Sequence, residues 1–113
     1  MVPPLLVGGI RPRTVSLAGE LADGVIIPGG VSPDDVRASV GHLHSQRDVG
    51  RGPAEVVVFI SAPADSPASD IAAVVRDYAA AGATCVAVNA DEDDADIGRF
   101  AGFLAREVSP LVR

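Results

Sequence analysis

Tryptophan is absent from this 113-residue chain, and tyrosine, cysteine and methionine each occur once. Aromatics reach only 4%, while alanine and valine dominate a hydrophobic fraction of 48%. Such a core is small and aliphatic, suited to helices packed closely on a sheet. The lone Cys85 excludes an internal disulfide and is compatible with a reducing compartment. Its apolar neighbours Val86, Ala87 and Val88 predict a small buried core residue rather than a reactive thiol. No apolar run approaches the ~18 residues of a membrane span. The opening MVPPLLVGGI lacks the basic start and long apolar segment of a signal peptide, so a cytoplasmic protein is the expectation. Positive charge is also scarce: nine basic residues against fifteen acidic ones leave a net charge of −6. That balance argues against nucleic acid or an anionic membrane as a partner, yet leaves room for a local cationic pocket around a phosphate.

What is present is a regular alternation. The length suits one domain over residues 1–113. Leu5-Leu6-Val7 reads as a strand, and Gly8-Gly9-Ile10-Arg11 leads into a helix that opens at Pro12. Val15, Ala18, Leu21 and Ala22 recur at helical spacing until Asp23-Gly24 ends the pattern. Val25-Ile26-Ile27 predicts a second strand. Ser32 then caps a helix with Pro33 in its first turn, and Asp34 and Asp35 oppose the positive end of its dipole. RDVGRGP reads as a flexible polar exit. Val56 to Ile60 is apolar without alternation, which predicts a strand covered on both faces. A third helix runs through Ile71, Val74, Val75 and Tyr78 to Gly82, and Thr84 to Val88 forms the fourth strand. Ile97, Phe100, Ala101, Leu104 and Val108 mark a closing amphipathic helix. This (βα)4 order implies a parallel sheet with right-handed crossovers. Periodicity leaves two architectures open: a small open doubly wound sheet, or half of an eight-unit barrel.

Few segments carry chemistry by spacing alone. A strand, glycines and a helix N-terminus can hold a phosphate through free backbone N–H groups. Arg11 and Arg13 flank that first turn, where the dipole disfavours a cation and a bound anion would relieve the conflict. The stretch matches neither the dinucleotide nor the P-loop fingerprint. The acidic run Asp91 to Asp96 does not fit a calcium loop, since Asp96 stands at the turn-glycine position and Gly102 at the bidentate one. It reads as charge complementing a helix N-terminus. His42 and His44, two apart on a helix, face different directions and read as surface residues rather than zinc ligands. No serine sits in a G-x-S-x-G elbow, and Tyr78 reads as core. Gly8 and Pro28 stand where a signalling-type doubly wound domain needs aspartates.

The stretch LLVGGIRPRTVSLAGELADGVIIPGGVSPDDVRASV resembles the luciferase-like monooxygenase family of flavin- and deazaflavin-dependent oxidoreductases. The most specific block is LAGELADG. SQRDVGRGPAEVVVFI and AAGATCVAV are similar to later parts of the same pattern. The resemblance implies a TIM (β/α)8 barrel fold, of which this chain resembles the C-terminal half only. It implies FMN or the deazaflavin coenzyme F420 as cofactor, with Gly8, Gly9, Ile10 and Arg11 at the turn that meets the cofactor phosphate and ring edge. Ile27 is implied to line the next strand end. Relatives often carry glycines directly before the proline, where this chain has Ile10-Arg11; a β-branched residue resists positive φ there, and Arg11 offers a charged contact instead. Catalytic groups from the other half cannot be assigned on this chain. A truncated oxidoreductase, needing a homodimer or a complementary half-barrel chain, is the first expectation. A non-catalytic ligand-binding α/β module is the alternative.

Overall fold

The computed structural model describes residues 3–63, 65–91 and 96–112. Four parallel strands lie side by side in chain order: β1 (Leu6–Gly8), β2 (Gly24–Ile27), β3 (Glu55–Ala62) and β4 (Cys85–Ala90). Between them run α1 (Pro12–Leu21), α2 (Pro33–Ser45) and α3 (Ala68–Ala81). A closing helix comprises α4 (Ile97–Phe103), a π-helical turn (Leu104–Val108) and α5 (Ser109–Val112). Doubly wound sheets reverse their strand order at a switch point, and this order never reverses. Every right-handed crossover therefore lays its helix on the same face. In agreement, α1 packs on α2, α2 on α3, and α3 on the closing helix.

The core lies between that helical layer and one face of the sheet. Val25 and Ile27 of β2 and Val56, Val58 and Ile60 of β3 point into it, beside Val15, Ala18, Val36 and Leu43 from the helices. A second cluster joins Ile71 and Ala72 of α3 to Phe100 and Val108. The opposite face of the sheet is bare. By register it presents Gly8, Ile26, Val57 and Cys85 in one row, and Phe59 and Ala87 in the next.

Two expectations are corrected here. β3 alternates between buried and accessible residues, so it is covered on one face only, although its sequence is apolar on both. Cys85 is exposed, because its parity along β4 turns it to the bare face.

Local chemistry explains most element ends. Ser32 accepts from the Asp35 N–H (3.2 Å), and Gly82 closes α3 at φ 116°. Asp96 accepts from the Arg99 N–H (3.0 Å) at the start of α4. Pro110 has no N–H for the Arg106 carbonyl, and the helix widens just before it, with the Ser109 N–H reaching back to Leu104.

The lower edge of the sheet, at the N-terminal ends of the strands, is tightly tied. Asp23 holds Leu5 twice: its carboxylate accepts from the Leu5 N–H (2.6 Å), and its own N–H reaches the Leu5 carbonyl (2.9 Å). This fastening explains why β1 begins one residue later than the sequence suggests. The Asp23 carbonyl also accepts from the Glu55 N–H (2.9 Å). Gly19 and Gly24 permit the approach: a Cβ would stand 1.9 Å from the Leu43 carbonyl oxygen at Gly19, and 2.0 Å from that of Glu55 at Gly24.

The expected flexible exit RDVGRGP is instead an ordered clasp containing a 3-10 turn, Val49–Arg51. Arg47 donates to the carbonyls of Gly52 (2.8 Å), Gly19 (3.1 Å) and Ala22 (2.8 Å). Arg51 donates to Glu20 (2.6 Å) and Ala22 (2.9 Å). The last turn of α1 has no basic residue of its own, so these two supply the charge that its dipole favours.

Candidate functional site

The upper edge collects the C-terminal ends of all four strands, where barrel enzymes build their sites. There β1 ends at Gly8, and the turn Gly9-Ile10-Arg11 delivers the chain to Pro12. The Gly9 N–H donates to the Ile26 carbonyl (3.1 Å), which ties the turn to β2. Gly9 is near-extended, and a Cβ there would meet Thr14 Cγ2 at 3.0 Å. Its lack of a side chain thus lets the turn close on the first turn of α1. At Gly8 a Cβ would meet nothing within 4 Å, so the end of β1 opens onto empty space.

Ile10 avoids positive φ, as does every other described non-glycine residue, and its side chain packs against the core. A β-branched residue is therefore unstrained here, because it anchors the turn from behind.

Arg11 occupies the N-cap position of α1 with extended geometry and makes no side-chain cap. Pro12 has no N–H, and among the described residues nothing accepts from the N–H groups of Arg13 or Thr14. Arg11 and Arg13 are both exposed, and no acidic partner pairs with either among the described residues. Among the described residues, two unpaired backbone donors and the positive end of a ten-residue helix thus lie at this turn, with two exposed arginines in and beside it. That donor set suits a phosphate.

Gly8, Gly9, Ile10 and Arg11 are contiguous at this edge. Ile27 is not with them: its side chain is 0% exposed and sits in the helix-side core. The residue beside it, Ile26, faces the bare side. Strand parity, fixed by which of Val56 or Val57 pairs inward, is the signal that separates the two.

Other parts of the upper edge are defined by contacts that sequence patterns do not reveal. Tyr78 donates its hydroxyl to the Val31 carbonyl (2.5 Å), so this half-buried side chain fastens the loop after β2 to α3. Between them lies an open cleft of about 390 Å3, bounded by Gly29, Gly30, Phe59 and Tyr78. His42 and His44 are exposed on α2, away from this edge. Of the acidic run, residues 92–95 lie outside the described residues. No helix among the described residues is long and apolar enough to cross a membrane.

A singly wound parallel sheet of four strands with its helices on one face is half of a (β/α)8 barrel. The sequence pattern of luciferase-like monooxygenases matches residues 1–108. The chain belongs to that family, which consists of flavin- or F420-dependent oxidoreductases. Among solved structures it is similar to the coenzyme F420-dependent tetrahydromethanopterin reductase from Methanopyrus kandleri, with a TM-score of 0.74 at 15% identity. The similarity covers 97% of this chain and 51% of that one, so the chain spans about half the length of its structural relative. No curated protein matches.

Proposed function

We propose that this chain provides the phosphate-holding side of a cofactor site in a luciferase-like oxidoreductase. The carrying observation is the uncapped N-terminus of α1 at the upper edge, with Arg11 and Arg13 unpaired among the described residues close in sequence to the open end of β1. Members of the family use FMN or F420, and both carry phosphate. The N–H groups of Arg13 and Thr14 would bind the phosphate oxygens, and Arg11 would hold the charge from the solvent side. Ile10, pinned in the core, keeps the turn from shifting when the anion arrives.

A bound flavin or deazaflavin supplies the redox chemistry; this half of the barrel binds and orients it. The bare face, lined by Ile26, Val57 and Phe59, would exclude water once it is covered.

Titrating the protein with F420 and separately with FMN, followed by cofactor fluorescence, tests this reading. Saturable binding that weakens about tenfold in Arg11→Ala/Arg13→Ala supports it, a change of ~1.4 kcal/mol. No fluorescence change with either cofactor well above micromolar concentration favours a non-catalytic module.

A further inference from the structure

The bare face of the sheet is uncharged along most of its length and has two matching borders. By register it carries Leu6, Ile26, Val57, Phe59, Cys85 and Ala87. Each border strand has one unpaired edge, β1 on one side and β4 on the other, and the two run in the same direction. An exposed parallel edge is a template for another strand.

The helices flanking these edges are also apolar on their outer sides. On α1, Gly19 faces α2 across the close contact with Leu43. Leu17 and Leu21 lie on the opposite flank by the 100° helical step, and are 46% and 72% exposed. At the other border, Ile97 and Leu111 are 62% and 42% exposed. The inner helices are less so: α2 exposes no large apolar residue, and α3 exposes one, Val74 at 41%.

We propose that a second copy of this chain covers the bare face, the two copies closing one eight-stranded ring. A two-fold axis along the ring brings β1 of each copy beside β4 of the other, in parallel. It also sets the Leu17–Leu21 flank of each copy against the partner's closing helix. The chain thus supplies both sides of each seam. The fold supports this geometry, since the four strands superpose on half of a barrel and two copies supply eight.

Size is adequate as well. A four-stranded face about 19 Å wide, with the flanks of α1 and the closing helix, gives roughly 700 Å2 per copy. Stable interfaces bury ~800 Å2 per partner. The inference does not depend on cofactor binding.

Light scattering on the purified chain should give twice the 11.5 kDa chain mass. Leu17→Glu/Leu21→Glu should reduce it to the chain mass, whereas Val49→Glu, at a 99% exposed site away from both seams, should leave it doubled. In a Cys85→Ser background, Leu17→Cys with Ile97→Cys should give a covalent dimer with a short bis-maleimide, and neither single cysteine should. This second measurement holds even where the glutamate variant fails to fold. A monomer at all concentrations, a larger assembly, or linkage by single cysteines as efficient as by the pair overturns the proposal.

Discussion

The two edges of the sheet use the same materials to opposite ends. Each has glycines beside a terminus of α1, and each has two arginines within reach of that terminus. At the lower edge, Arg47 and Arg51 spend their donors on the carbonyls of Gly19, Glu20 and Ala22, while Gly19 and Gly24 are filled by neighbouring backbone. At the upper edge, Arg11 and Arg13 pair with nothing described, and Gly8 opens on empty space. One edge is closed by its own chain. The other keeps donors and volume in reserve, the condition of a binding surface. Satisfied polar groups contribute to stability, whereas unsatisfied exposed ones contribute to recognition.

Substitutions can break that contrast, and the largest effect is expected at the lower edge. Gly19→Ala drives a Cβ into the Leu43 carbonyl, and rigid backbone cannot yield as a side-chain tip would. A loss of about 3 kcal/mol or more is expected, read as a fall in the urea midpoint. Arg47→Ala comes next. It removes three hydrogen bonds to carbonyls, two of them partly buried, and should cost about 2 kcal/mol by the same measurement. Arg47→Lys should recover little of this, because one ammonium cannot span Gly52 and Ala22 as a guanidinium does.

The smallest effect, and the opposite sign, is expected at the upper edge. Arg13→Gln removes a cation from a helix N-terminus and should raise stability by about 0.3 kcal/mol. The same variant should weaken cofactor binding in the fluorescence titration. A loss of stability at Arg13 comparable to that at Arg47 would erase the distinction between the edges.

The sequence was legible wherever structure is local. Pro12, Ser32 and Gly82 stand where their chemistry predicts, and α1, α2 and α3 follow from helical spacing. Coverage of the strands was not legible. Val56 to Ile60 and Cys85 to Val88 are apolar on both faces, and composition alone does not show that helices cover one face and leave the other bare. Register is what turns Cys85 outward to the bare face and Ile27 inward to the helix-side core. The clasp was hidden for a different reason. Arg47 and Arg51 reach carbonyls 25 to 32 residues away, and no local period reports such a contact. At the candidate site, Gly8 to Arg11 were legible as a turn, and the open donors of Arg13 and Thr14 follow from Pro12 and the uncapped Arg11.

The close passage at Gly19 and Gly24 bears on what membership of this family records. LAGELADG, the most specific block of the resemblance, lies largely at the lower edge, where its small residues answer to steric exclusion and to the fastening of Asp23. A descendant that lost all turnover would still need those glycines to fold. The signature is thus a record of shared assembly, passed on independently of chemistry, and ancestry can be read from one edge of the sheet while activity must be measured at the other.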